Sequence, residues 1–438
     1  MKKRVVNKQK VFWLISGAFL LTCVIFYGYR FISLYIDNYK SDDSKVVLLS
    51  ENILTNRVKD LNRKGDSYYF NKDTNNNYVR YSNLIWRIIK LSNDNIVLVS
   101  DKSLTSVAWG ENKNYQDSYI FKWLNQGESS YSGVLENNLN SVNNYLIKSN
   151  ICIDSFDEVD KTACNDSYED KNIGLLSMND YINTGAHEGF LNNGDNFYLA
   201  NTNDNGKIWY VTDEGKVSLS DGTDIIGVRA VITIKNTCEY LSGDGSYDNP
   251  YIIDKDNGLF GSYVKLDNDM WRIYKIEDNI VKLVLNSYLK VNGEDFKYKY
   301  SNTGYYHNDT KTDTIAYYLN NTFLNNLSYK NYIKEINWSN GVLSSEVTYD
   351  YEKVLSTVVP TKVSLISLGD IILNSDLDNY FTSTGVNKSG LLVYSIEKGA
   401  KVYGRTSTTA LKVVPAISLD KSLLTKGEGT IDSPYEIE

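Results

Sequence analysis

Alternating apolar and polar positions dominate this chain, and the same alternation is met twice. Tyr78, Arg80 and Ser82 lead into Leu84-Ile85-Trp86-Arg87-Ile88, and Asn93-Asp94-Asn95 breaks the run before Ile96-Val97-Leu98-Val99. The order returns as Tyr263-Val264-Lys265, Met270-Trp271-Arg272-Ile273, a break at Glu277-Asp278-Asn279, and Val281 to Leu285. Asn- and Asp-rich breaks between β-branched runs predict hairpins. The spacing then changes to three and four, which predicts a helix face. Asp117 and Ser118 are suited to cap a helix over Ile120-Phe121-Lys122-Trp123-Leu124-Asn125, and Thr312 and Asp313 precede Ile315-Ala316-Tyr317-Tyr318-Leu319-Asn320. Alternation resumes at Phe197–Ala200, which turns at Asn205-Gly206 into Lys207–Val211 and at Asp213-Glu214-Gly215 into Lys216–Leu219. The last strand of the first series is Gly227–Ile234; the second series ends on Leu411–Leu419.

The two series are offset almost uniformly. Trp86 and Trp271 lie 185 residues apart (271 − 86), and Pro250 and Pro434 lie 184 apart (434 − 250). Leu175-Leu176-Ser177 likewise matches Leu365-Ile366-Ser367, with Asp180 and Asp370 following. A period of this size is that of a whole domain, not of a solenoid unit. The pattern predicts two homologous α+β domains, 46–253 and 254–438, each a hairpin plus helices plus an antiparallel β-meander. Trp86, Trp271, Trp123, Arg229, Pro250 and Pro434 are the anchors of the repeat, and the Trp side chains are expected in the cores.

The N-terminus follows a different pattern. Val11 to Tyr29 carries no charge and the apolar character continues to Ile36, long enough for a transmembrane helix. Lys2, Lys3, Arg4, Lys8 and Lys10 precede it, which predicts an N-terminus inside and everything after a linker at 37–45 outside. The expectation is a single-pass cell-membrane protein held through residues 11–36, with an extracellular ectodomain. Cys23 reads as a helix residue, because the apolar run continues past it.

Charge narrows the partners. The chain carries −8 overall, and residues 1–40 carry seven basic and one acidic side chain, leaving −14 for the rest (−8 − 6). That balance argues against nucleic acid, whose backbone demands a basic surface. Three cysteines remain beyond the N-terminal segment. Cys152 and Cys164 flank a short acidic loop and are the expected disulfide; Cys238 is left over, although sequence does not fix connectivity.

Catalytic chemistry is sparse. The two histidines, His187 and His307, do not occupy matching positions in the repeats, and no zinc-type spacing, phosphate loop or Gly-x-Ser-x-Gly elbow occurs. Asn201-Thr202-Asn203-Asp204-Asn205-Gly206 has the outline of a calcium loop, but Thr212 stands where a bidentate Glu belongs, and a hairpin turn accounts for it better. Asp244 and Asp248 read as polar turns. No metal and no cofactor is expected. Thr237-Cys238, with Arg229 upstream, has the outline of a cysteine transpeptidase, but His187 is at the wrong spacing and the second repeat has no cysteine.

The order of a Trp-Arg-Ile strand, a capped helix ending Trp123-Leu124-Asn125, a Leu-Leu-Ser segment and the final Gly227-Val228-Arg229-Ala230 strand resembles a Firmicutes surface domain of unknown function. That domain's last strand usually reads Gly-Val-Arg-Pro-Ala. The first repeat lacks the Pro, and the second, with Val413-Val414-Pro415-Ala416, lacks the Gly and Arg. The closing Gly-x-Gly-x-x-x-x-Pro-Tyr segment and the meander before it are similar to the C-type-lectin-like superfold of formylglycine-generating enzymes and phage receptor-binding proteins. Those enzymes need a cysteine pair where Cys238 stands alone, so the resemblance does not imply their activity. The apolar anchor, the duplicated domain and the missing chemistry lead instead to the expectation of a membrane-anchored, non-enzymatic surface protein whose tandem domains bind an extracellular glycan, peptide or protein. A spacer without a ligand of its own, and an envelope enzyme using Cys238, are the competing readings.

Overall fold

The computed structural model describes residues 46–127, 132–140, 145–159, 164, 168–253, 258–302, 312–343, 351–386 and 391–437. Leu48–Glu438 form one compact unit.

The first sheet starts from a two-residue turn. Ser82 and Asn83 both take positive φ, 50° and 54°, which matches the twist of a tight hairpin. Tyr78–Tyr81 is thereby folded onto Leu84–Leu91 with Val79 opposite Trp86. Asn95–Ser100 pairs next, with a bulge between Ile88 and Lys90, followed by Ala230–Lys235 and Ile173–Leu175. Tyr251–Ile252 closes the other edge, parallel to Tyr78–Tyr81.

The second repeat builds the same order from Tyr263–Leu266, Asp269–Glu277, Ile280–Leu285, Ala416–Asp420 and Val363–Ser364, closed by Tyr435–Ile437 running parallel to Tyr263–Leu266. Trp271 faces Val264, and the bulge recurs between Ile273 and Lys275. Both tryptophans are fully buried. The parallel closing strand depends on a glycine in each repeat. Gly243 and Gly427 have φ of 95° and 90°, and a Cβ at either would collide with the carbonyl of Pro250 or Pro434.

A second, five-stranded sheet accompanies each of these. In the first repeat its order is Val217–Ser220, Ile208–Val211, Phe197–Thr202, Ile226–Val228, Thr105–Val107. In the second it is Lys401–Thr406, Leu392–Glu397, Tyr380–Gly385, Ala410–Lys412, Lys297–Lys299. The third and fourth strands are parallel in both cases.

Helices are few and short. Ser118 accepts from the Phe121 amide and starts Tyr119–Leu124. In the second repeat Thr314, not Thr312 or Asp313, accepts from the Tyr317 amide, because it stands immediately before Ile315. Asn125 then clasps the main chain of Ile173, giving and taking one hydrogen bond, and Asn320 does the same to Val363.

The expected fold class needs correction. Among the described residues the fold is mostly β-sheet, 39% strand against 15% helix, and it is not the expected α+β fold with a transmembrane helix at its head. In the first repeat the helix stops at Leu124, where Asn125 turns to the strand Ile173–Leu175; in the second, Asn320 reaches Val363 from the middle of a helical run, Ile315 to Asn326, that widens to π geometry over Tyr318–Phe323; the connecting segments pair as extra short strands. No helix among the described residues is long and apolar enough to cross a membrane. The apolar run at 11–36, on which that expectation rested, lies outside the described residues.

Candidate functional site

The residues singled out from sequence fall at separate places. Cys152 and Cys164 are bonded, with Cα atoms 5.8 Å apart. Cys152 ends the strand Ser149–Cys152, which pairs with Tyr168–Lys171. Cys238 is a free thiol with no exposed surface, and burial pushes its pKa up to about 12. His187 is exposed in the turn Ala186–Glu188, and His307 lies outside the described residues. The Asn201–Gly206 segment is a turn: Asn203 Oδ1 accepts from the amides of Asn205 and Lys207. Asn201 is buried, donating to the carbonyls of Cys152 and Asp154 and accepting from the Met178 amide. These amide groups are engaged in holding the loop. Asp244 Oδ1 similarly accepts from the Ser246 amide, which with the Ser246 hydroxyl holds its carboxyl below the usual range.

Arg229 belongs to a cluster that sequence reading did not find. Its Nε donates to Ser100 O at 2.9 Å and its Nη1 to Leu191 O at 2.8 Å, while Nη2 is buried without a hydrogen-bond partner. The guanidinium lies 4.9 Å from the Phe197 ring centre. Arg87 is nearby, with Nε on Asn77 Oδ1 at 2.7 Å, Nη1 on the Tyr78 hydroxyl at 2.8 Å and Nη2 on Thr74 O at 3.2 Å. It is held between the rings of Tyr78 and Phe190 and reaches Asp101 Oδ1 at 3.8 Å. Asp195 completes the cluster and accepts from the Ser103 amide.

All four charged side chains are buried. Burial lowers both arginines, Arg87 to about 10, and raises Asp195, against the opposing pull of Arg229. Two positive and two negative charges cancel, which is how such groups survive away from water. The second repeat carries Val414 where the first has Arg229 (414 − 229 = 185) and Asn286 where it has Asp101 (286 − 101 = 185). That paired loss at one offset is the signal that would have revealed the cluster from sequence.

The two repeats meet along a seam of hydrogen bonds, ion pairs and shared apolar core. Trp123 Nε1 donates to Gly369 O at 2.6 Å, Ser106 Oγ to Ala400 O at 2.5 Å, and the Ile372 amide to Leu104 O at 2.7 Å. Asn83, from the hairpin turn, donates to the carbonyls of Gly258 and Phe260 and to Ser262 Oγ. Lys102 pairs with Asp376 and Lys401 with Asp213. Leu343, Val354, Leu368, Ile371 and Tyr394 of the second repeat join the apolar core of the first. Comparison with known protein families, with curated proteins and with solved structures finds no match for this chain.

Proposed function

We propose that the protein is a non-catalytic binding protein acting outside the cytoplasm, with its two repeats serving as one rigid presenting unit. The observation that carries the non-catalytic part is the state of Cys238. A nucleophilic thiol must ionise and be reached by a base. Cys238 is sealed from solvent, with its pKa raised to about 12 by burial, and its backbone is spent on holding Leu49 and Lys235. The Cys152–Cys164 bond supports an oxidising compartment. Duplication supports binding, since two linked sites raise avidity when both engage. The ligand class this reading favours is an extracellular glycan, peptide or protein. The rigid seam suits a spacer as well, and ligand retention separates the two readings.

The test is a pulldown from cell walls and a glycan array with the full-length chain, run beside iodoacetamide labelling of the folded protein. Saturable capture, with Cys238 alkylating no faster than a model thiol, is the expected result. Rapid alkylation near neutral pH would move the enzyme reading to first place. Absence of any captured ligand would leave the spacer.

A further inference from the structure

Two arginines at the seam carry charge that the described fold does not neutralise. Arg272, in the strand Asp269–Glu277, donates only to carbonyl oxygens: Nε and Nη2 to Gly261 O at 3.2 and 3.0 Å, Nη1 to Leu373 O at 3.3 Å, and Nη2 to Asn83 O at 3.5 Å. Carbonyls satisfy N–H groups but leave a full positive charge, and one of the five guanidinium N–H groups stays uncommitted. The Tyr263 ring centre lies 4.9 Å from the guanidinium.

Arg80 is half-buried on the strand Tyr78–Tyr81, on the face opposite the buried Val79 and Tyr81, and precedes the turn residue Asn83 by three. Its backbone is paired in the sheet, but among the described residues its side chain makes no ion pair and no hydrogen bond. The hairpin turn brings the two residues together, since Arg272 Nη2 reaches Asn83 O at 3.5 Å, three residues along the chain from Arg80. Burial lowers the pKa of Arg272 first, Arg80 lowers it further, and the Tyr263 phenol opposes both.

The first repeat resolves the same problem internally. There the equivalent of Arg272 is Arg87, which has Asp101 at 3.8 Å. The second repeat keeps the arginine but has Asn286 in place of the aspartate. Asp376, three residues beyond Leu373, is taken by Lys102 at 2.5 Å. The seam therefore holds two partly desolvated guanidinium groups with donors to spare, in a chain whose net charge is −8. Planar guanidinium forks recognise phosphate and carboxylate oxygens by charge-assisted hydrogen bonds.

We propose that Arg80 and Arg272 form an oxyanion-binding site at the seam between the repeats, which takes a phosphate or carboxylate group of the protein's ligand. The site rests on the binding-protein reading and narrows it: the ligand is anionic, and it meets both repeats at once. Binding there ties Arg80 of the first repeat to Arg272 of the second, so it stabilises the tandem as a unit.

Isothermal titration calorimetry of the full-length protein, at constant ionic strength, with inorganic phosphate and with glucuronate as the two probes, tests this. At least one probe should bind saturably. Arg80→Met should weaken it tenfold or more without lowering the unfolding midpoint in anion-free buffer, because Arg80 holds nothing in the fold. Arg272→Lys should weaken it too, since lysine keeps the charge and loses the fork. The preferred probe distinguishes a tetrahedral phosphate from a planar carboxylate. No heat with either probe, or equal affinity in Arg80→Met, would overturn the site. So would a lower unfolding midpoint in Arg80→Met, which would mean the charge is neutralised within the chain. Loss of the site with glycan-array capture intact would leave the binding reading standing.

Discussion

The two repeats share a strand order but meet solvent and charge differently. In the first, the edge strand of the five-stranded sheet, Thr105–Val107, is wholly buried, because the second repeat lies over it through Ile372 and Ala400. In the second, the equivalent edge, Lys297–Lys299, is exposed to half-buried and carries aromatic cover instead: Phe296, Tyr298 and Tyr318 stack at 4.5 to 5.7 Å. The first repeat also encloses the Arg87, Asp101, Arg229 and Asp195 cluster, while the second has lost one arginine and one aspartate together. A duplicated scaffold thus keeps its hydrogen-bonded frame and varies what it buries, since the frame is set by backbone pairing and the burial by whatever packs on it.

The largest test of this contrast is to remove the seam. Trp123→Ala deletes a fully buried indole and its bond to Gly369, and should cost about 3–5 kcal/mol in urea unfolding. Residues 46–253 alone should unfold at lower denaturant than the intact chain, since Leu104, Ser106 and Trp123 lose their cover. Equal stability would show that the seam is mere contact. Next comes the charge cluster. Arg229→Val, which copies the second repeat, leaves Asp195 buried without its arginine and should cost about 3 kcal/mol. Adding Asp101→Asn should recover part of that loss, and strict additivity would mean that the two charges are not coupled.

Reducing the Cys152–Cys164 bond should cost at most about 3 kcal/mol, because the loop it closes is short. Hydrogen exchange should rise in the strands Ser149–Cys152 and Tyr168–Lys171 and not at Trp271. The smallest effect belongs to the second repeat. Burial raises the Glu277 carboxyl, but Lys275 and Lys282 outweigh it and hold the pKa at about 2. A depressed carboxyl contributes stability above its unfolded value of 4.5, and that contribution is lost as pH falls towards 2. With Glu277 44% exposed, solvent screening reduces the contribution to about 1 kcal/mol. Glu277→Gln should flatten the stability curve over that acid window, and an unchanged curve would remove the assignment.

What could be read from sequence followed the range of the interaction. The Trp86 and Trp271 strands, the Ser118 cap and the Asn205-Gly206 turn depend on neighbours in the chain, and periodicity or a single side chain announces them. The Ser82-Asn83 turn gives no such sign, because neither residue is glycine, though both take positive φ. Much of the β content is silent in the sequence, because strands of two to four residues, such as Ile173–Leu175, have no room to show an alternation. Partners distant in sequence left no local trace. Nothing near Trp123 points to Gly369, and nothing near Asn83 points to Phe260.

The closing strands also set a clock. Val79 waits for Tyr251, its parallel neighbour, across 172 residues of chain (251 − 79). At about 5–20 residues per second, synthesis leaves that sheet edge unpaired for on the order of ten to thirty seconds. The second repeat repeats the delay from Val264 to Tyr435. An exposed edge is a template for the wrong strand, and here a second strand of the same pattern emerges from the same ribosome just as the first closes. Nascent chains halted at residue 245 should be cut readily by protease near Tyr78, and chains halted far enough beyond residue 253 for the closing strand to leave the ribosome should resist.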